Sequence, residues 1–476
     1  TDSGAAATLT LANMTSGANA LAADTYSGNL SGSLSLVMSG DGSLTLSGSN
    51  SYSGSTLVSS GSLVNGVANS LPTGTTLTVD GTGTFDLAGF SQQVAGLSDG
   101  GVTTGILTDS GAAATLTVTS AGANTFSGTI SSMNLALAMQ GGGTLTLGGD
   151  NTYAGGTSIT GLGSTVSISS DANLGATPTA TTGGVSLASG GTLAVTGSFT
   201  SDRSLAVGSG GGNLNVSANQ TFTASGNGTW SDNGGTLILN STGTTGTLEL
   251  NAGSGSYGSA GDPLSITAAS GTLTGTATVL GNITIDSGAT VSPGTSASSP
   301  GTLAFNTGTS TLVSGGTLDF DVTSAGTSSS NASIGSAGSS WNLLALNTLA
   351  ASGLSSDSQF NLTANSSLPS NFSPGASYQW DIITMAGGLP SGLTAQDFNL
   401  NTTAFGAQPG SFSIAVGTMT GGAGYVAIDY SPAAVPEPGS MLLAGLAALS
   451  MAGMGWRQRR RQVTVSHGDE KTVDDS

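Results

Sequence analysis

Ten residues at the start of the chain, Thr1-Asp-Ser-Gly-Ala-Ala-Ala-Thr-Leu-Thr10, recur without change at Thr108 to Thr117. Thr25-Tyr-Ser-Gly28 returns as Thr125-Phe-Ser-Gly128, and Gly42-Ser-Leu-Thr-Leu-Ser-Gly-Ser-Asn-Ser-Tyr-Ser-Gly54 as Gly143-Thr-Leu-Thr-Leu-Gly-Gly-Asp-Asn-Thr-Tyr-Ala-Gly155. Repetition at a long period is the mark of a stacked architecture. Within each repeat the period is two. Thr8 to Leu11, Ser43 to Leu46, Thr76 to Val79 and Thr144 to Leu147 alternate hydroxyl with apolar residues, as half-buried strands do. Short strands follow again at Thr236 to Leu239, Thr247 to Leu250, Asn282 to Ile285 and Thr317 to Val322. Strands this short are unstable alone and become stable when successive coils stack. The pattern therefore predicts an all-β fold, a right-handed parallel β-helix over residues 1–325, with Leu, Val and Ile inside and Thr and Ser outside. A flexible Gly/Ser linker would lack the alternation.

Composition sharpens this. With 476 residues the chain is too long for one ordinary compact core, and its 78 glycines are about twice the typical share of roughly 7%. Cysteine is absent, so stability must come from packing and ladder hydrogen bonds, with no disulfide or thiolate metal site. Residues 1–435 carry twenty acidic side chains and one basic, Arg203, a balance that repels nucleic acid and excludes it as a partner. Because the chain opens inside a repeat, with neither an initiator Met nor a signal peptide, it reads as a fragment or a processed product.

The other five basic residues all follow Trp456. Sixteen uncharged residues, Met441 to Trp456, precede Arg457-Gln-Arg459-Arg460-Arg461. As a helix they reach roughly 24 Å, a little short of a hydrocarbon core of about 30 Å. Trp456 suits the interface, and Arg457, Arg459, Arg460 and Arg461 can snorkel to the headgroups and act as the membrane stop. Arginine clusters stay cytoplasmic, so the body upstream lies outside. The tail thus predicts a transmembrane helix at 441–456, an exported body and a basic cytoplasmic end.

Val435-Pro436-Glu437-Pro438-Gly439-Ser440, followed by the apolar segment and the arginines, resembles the PEP-CTERM sorting signal. That resemblance implies that Pro436, Glu437 and Pro438 are read by an exosortase-type processing enzyme of a Gram-negative bacterium that makes exopolysaccharide. It also implies that the helix and arginines are later discarded, so an inner-membrane-anchored precursor would give way to a protein of the cell surface or extracellular matrix. One departure is the extension Gln462 to Ser476, since such signals usually stop soon after the arginines. Gly42 to Gly54 and Gly143 to Gly155 in turn resemble the autotransporter-associated β-strand repeat, whose pattern runs Gly-x-Leu-x-Leu-x-Gly-x-Asn-x-Tyr-x-Gly. No C-terminal barrel follows, so the chain does not look like an autotransporter that exports itself.

Residues 326–432 gather Trp341, Phe360, Phe372, Tyr378, Trp380, Phe398, Phe405, Phe412, Tyr425 and Tyr430, aromatics that the coils lack. A solenoid needs a cap over its last coil, and an antiparallel aromatic segment would supply one. A carbohydrate-binding module is the alternative. The domain reading is then a repeat solenoid over 1–325, a β cap or small β domain over 326–432, and a sorting signal over 433–476.

Candidate chemistry is sparse. The lone histidine, His467, lies beyond the arginines, and the body has no Lys or Cys, which removes the usual triads, Schiff bases and thiol nucleophiles. Asp319 and Asp321 share a strand face and could form a carboxylate pair as in polysaccharide-degrading β-helix enzymes. An outward structural pair is the preferred reading. Gly40-Asp41 and Gly149-Asp150 fall short of a calcium-binding nonapeptide and read as turns. The chain is read as non-enzymatic, without cofactor or metal: a structural or adhesive surface protein of the envelope or biofilm matrix, with exopolysaccharide as a possible partner. The alternative is an ice-binding or polysaccharide-binding solenoid, because Thr-Leu-Thr units place both threonines on one outer face.

Overall fold

The computed structural model describes residues 2–12, 23–176, 183–226, 228–242, 245–251, 256–296, 299–325, 340–351 and 353–434. Among these, regular structure is almost wholly β, with three short 3-10 turns. The alternation seen in the sequence is the alternation of burial. In Ser43–Leu46 and Thr144–Leu147 each leucine is buried and each hydroxyl residue half-buried. Strands pair in parallel with strands of the next coil: Leu44 with Leu63, Leu63 with Phe85, Phe85 with Leu107, and Leu107 with Ile130. Like sits on like, so the interior is a set of apolar columns. All five of these residues are buried, and burying each such side chain stabilises by about 1.5–3 kcal/mol. The chain is a parallel β-solenoid, as the alternation predicts.

The strands form sheets of six, seven, six, fifteen and nine, and consecutive strands in the chain usually belong to different sheets. Each coil therefore turns corners, and the corners explain the repeat motif. Asn50 accepts a bond from Leu30 N at 2.7 Å and donates to Ser70 O at 2.6 Å, so one side chain ties three successive coils. Asn151 does the same between Ile130 N, at 2.8 Å, and Asn173 O, at 2.6 Å. Both amides are buried and satisfy backbone groups that a sheet ladder cannot reach at a bend. Two residues on, Tyr52 and Tyr153 fill the interior, each with its phenol 2.6 Å from a threonine hydroxyl, Thr56 or Thr157. Burial pushes both phenols up to about 12. The closing glycines are required by close approach: a Cβ on Gly54 would lie 2.5 Å from Leu34 O, and one on Gly155 2.5 Å from Leu135 O.

The long repeat is not a whole number of coils. Leu9 pairs with Leu36 and Leu11 with Met38; in the second copy Leu116 pairs with Leu137 and Val118 with Met139. The local contacts are equivalent, yet the two copies belong to different sheets.

Parallel stacking runs on beyond residue 325. Leu343–Ala350 pairs in parallel with Thr302–Leu312, Phe360–Ala364 with Thr317–Phe320, and Phe398–Asn401 with Phe360–Ala364. The last strands turn back. Gly424–Ser431 lies antiparallel between Tyr378–Met385 and Ser411–Thr418. This hairpin finishes the longest sheet. Among the described residues no helix is long and apolar enough to cross a membrane; the expected span, Met441 to Trp456, lies outside them.

Candidate functional sites

The sorting residues Pro436, Glu437 and Pro438 and the stop residues Arg457, Arg459, Arg460 and Arg461 lie outside the described residues. The chain reaches them from the terminal hairpin: Gly424–Ser431 ends at Pro432, which has no N–H to continue a ladder.

The candidate carboxylates are brought together, but unequally. Asp319 is half-buried, whereas Asp321 is only 1% exposed, which corrects the expectation of an outward pair. The strand ends at Phe320, and the returning segment covers the next residue. Val322 bridges Trp341 in antiparallel fashion, and Asn342 N donates to Asp321 O at 3.1 Å. Asn342 Nδ2 also donates to Asp321 Oδ2 at 3.1 Å. Burial, with the neighbouring charge of Asp321, pushes the Asp319 carboxyl up to about 6. The Asp321 carboxyl is also raised, by burial, against the opposing effect of bonds from Ser366 and Asn342.

A second acidic pair escaped the sequence reading. Asp381 and Asp429 lie on the adjacent antiparallel strands Tyr378–Met385 and Gly424–Ser431, and burial raises both. Asp381 is raised further by the charge of Asp429. The signal available beforehand was the isolated acid in each apolar strand, but pairing across 48 positions of chain is decided only by the antiparallel register of Tyr378–Met385 against Gly424–Ser431.

Arg203, the one cation of the body, serves neither pair. It is buried, its Nε donates to Asp171 Oδ1 at 2.9 Å, and its two terminal nitrogens reach the carbonyls of Asp171, Leu174, Gly175, Ala176 and Gly183. Among the described residues this is the sole ion pair. Its chemistry is that of a staple around the corner at Asp171–Leu174.

The aromatic residues near the C-terminus pack on one another. Trp380 stacks on Tyr378 with ring centroids 5.6 Å apart, Phe405 contacts Phe320 and Trp380, and Phe412 contacts Tyr430. Trp341, Trp380, Phe360 and Tyr430 are at most 1% exposed, so their ring faces cannot take sugars. They build the core beneath the last coil.

Two outer surfaces are regular. Thr221, Thr247, Thr272, Thr290 and Thr317 pair in sequence, one per coil, and form a half-buried column on the nine-stranded sheet at about 4.8 Å spacing. On the seven-stranded sheet, Ala138, Ser158, Ser186, Ala206 and Ser231 stand in register and floor a shallow groove of about 490 Å³.

Comparison with known families identifies two elements. The passenger-associated-transport-repeat matches residues 36–64 and 137–161, the segments that hold the Asn50 and Asn151 corners. The PEP-CTERM protein-sorting motif matches residues 434–461. No curated protein and no solved structure is significantly similar to the chain.

Proposed function

We propose that this chain is a non-enzymatic structural or adhesive surface protein of the envelope or biofilm matrix, sorted and cut through its C-terminal signal. The carrying observation is a PEP-CTERM motif placed directly after the terminal hairpin of a β-solenoid. A sorting signal and passenger-type repeats fit an exported surface protein. Pro436, Glu437 and Pro438 are the recognition element for an exosortase-type enzyme, and Met441 to Trp456 holds the precursor in the inner membrane until cleavage. The non-enzymatic reading is supported by the side-chain inventory: a body without Lys, Cys or His, and one arginine fully occupied by Asp171 and carbonyls.

The test is the intact mass of protein recovered from the surface of a Gram-negative host that carries an exosortase. The expected product lacks Met441 to Ser476. Replacing Pro436, Glu437 and Pro438 with Ala should leave an uncut form in the inner membrane. A surface form that still ends at Ser476 would overturn the sorting role.

The threonine column favours a second reading, a solenoid that binds ice or polysaccharide on its nine-stranded face. Five hydroxyls at one spacing present a flat, repeating array to an ordered ligand, more regular than the threonine spacing in the sequence promises.

A further inference from the structure

We propose that Ser411–Thr418, the last strand of the fifteen-stranded sheet, is a dimerisation edge that pairs antiparallel with the same strand of a second copy, about a two-fold axis at Ile414. Such pairing goes beyond the surface role and does not depend on it.

The edge is made by the order of the strands, since Gly424–Ser431 turns back inward and takes the place between Tyr378–Met385 and Ser411–Thr418. Among the described residues Ser411–Thr418 pairs with Gly424–Ser431 alone, and no other hydrogen bond reaches its backbone. One row of N–H and C=O groups therefore faces outward unpaired. Edges of this kind are ordinarily blunted by a lysine, a proline, a bulge or shortness. None of these is used here. The strand Ser-Phe-Ser-Ile-Ala-Val-Gly-Thr has neither charge nor proline, runs for 8 residues, and keeps an unbroken register from Ser411 to Thr418. Phe412, Ile414 and Val416 pack against the core yet stay only partly buried.

The strand is its own complement. Antiparallel pairing centred on Ile414 sets Phe412 against the second copy's Val416, Ile414 against Ile414, and Ser413 against Ala415. The three large apolar residues then meet one another, and the small residues share the opposite face. An axis at Ser413 would set Val416 against Gly410, and one at Ala415 would set Phe412 against Thr418. Charge does not oppose the contact. Asp429, the acid of the adjoining strand, stands one strand in from the edge. Two copies therefore keep these carboxylates at least three strand spacings apart, about 14 Å, beyond the Debye length of about 8 Å at physiological ionic strength. A charged partner finds nothing on this strand to pair with, whereas a neutral strand of alternating apolar residues does. A two-fold contact of this kind closes on itself, giving a dimer with one continuous sheet and not a filament.

The experiment uses the full chain in detergent, which has no cysteine of its own. Sedimentation equilibrium at micromolar concentration is expected to give a dimer. Ile414→Cys should form an intermolecular disulfide under mild oxidation, because the two copies meet at that residue. Thr418→Cys, exposed but about 27 Å from its counterpart along the paired strands, should form none. Ser413→Lys, at an exposed position, should halve the mass and leave the melting temperature unchanged. Thr272→Lys, on the nine-stranded sheet, should leave the dimer intact. A monomeric unmodified chain would overturn the dimer edge, since the strand would then be solvated or covered by the chain's own tail. Equal cross-linking at Ile414→Cys and Thr418→Cys, or a dimer that survives Ser413→Lys, would overturn it as well, because association would then run through another surface such as the apolar tail.

Discussion

Arg203 and Asp171 meet at 2.9 Å across a corner of the solenoid, with the guanidinium 4% exposed and the carboxylate 25%. The same guanidinium also serves five backbone carbonyls of the Asp171-to-Gly183 region. Arg203 O in turn accepts from Trp230 Nε1 at 3.1 Å. A corner that cannot close its own ladder is closed by one side chain. Arg203→Met should therefore destabilise by about 3–5 kcal/mol, because it strands a partly buried carboxylate and several carbonyls. Arg203→Lys should recover only part of this, since an ammonium has three donors and no fork. Urea unfolding followed by tryptophan fluorescence measures both.

Asn50 and Asn151 make the same pair of bonds in the two long repeats. Asn50→Ala and Asn151→Ala should each cost about 2–4 kcal/mol, the expected cost of two unsatisfied backbone groups at about 1–3 kcal/mol each, less any relief by water. The two losses should be similar. A loss confined to one of them, measured by chemical denaturation, would show that the corners are not equivalent.

The pH dependence follows from the raised acids. Asp319 titrates near 6 in the folded chain against 3.8 unfolded, so the native state holds its proton more tightly. Its contribution is therefore fully present below about 3.8 and is lost as pH rises through about 6. Asp321, Asp381 and Asp429 are raised as well and act in the same direction. The melting temperature should fall as pH increases from 4 to 7, and Asp319→Asn should flatten that slope. A melting temperature that rises over this interval would contradict the assignment.

Replacing Arg457, Arg459, Arg460 and Arg461 with Ser tests the tail separately from its recognition triplet. Loss of the basic stop should weaken membrane retention and the orientation of the span. Protease accessibility of the body in spheroplasts reads this out. Unchanged topology would assign orientation to another segment.

Thr272→Lys interrupts the threonine column at its centre. As a surface change it should alter stability by no more than about 0.5 kcal/mol. If the column is the ligand face, ice-recrystallisation inhibition or polysaccharide pull-down should be lost with stability retained. Retention of either activity would move binding elsewhere.

Leu44, Leu63, Phe85 and Leu107 show how far the sequence alone determines this protein. Each lies in a short strand in which apolar and polar residues alternate, and that alternation dictates strand, buried face and coil stacking, because a one-residue slip would turn every apolar side chain outward. The sorting tail is equally legible, since it is a linear signal of turn, apolar run and arginines. What only the tertiary structure decided is which residues of different coils meet. The return of residues 340–342 over Asp321 turns an expected surface acid into a buried one. The antiparallel pairing of Tyr378–Met385 with Gly424–Ser431 brings Asp381 to Asp429. The stacking of five coils aligns threonines that are 18 to 27 residues apart in the chain. Coil lengths vary because corner loops absorb insertions at little energetic cost, so alignment between coils is set by columns of packed side chains and cannot be counted off the sequence.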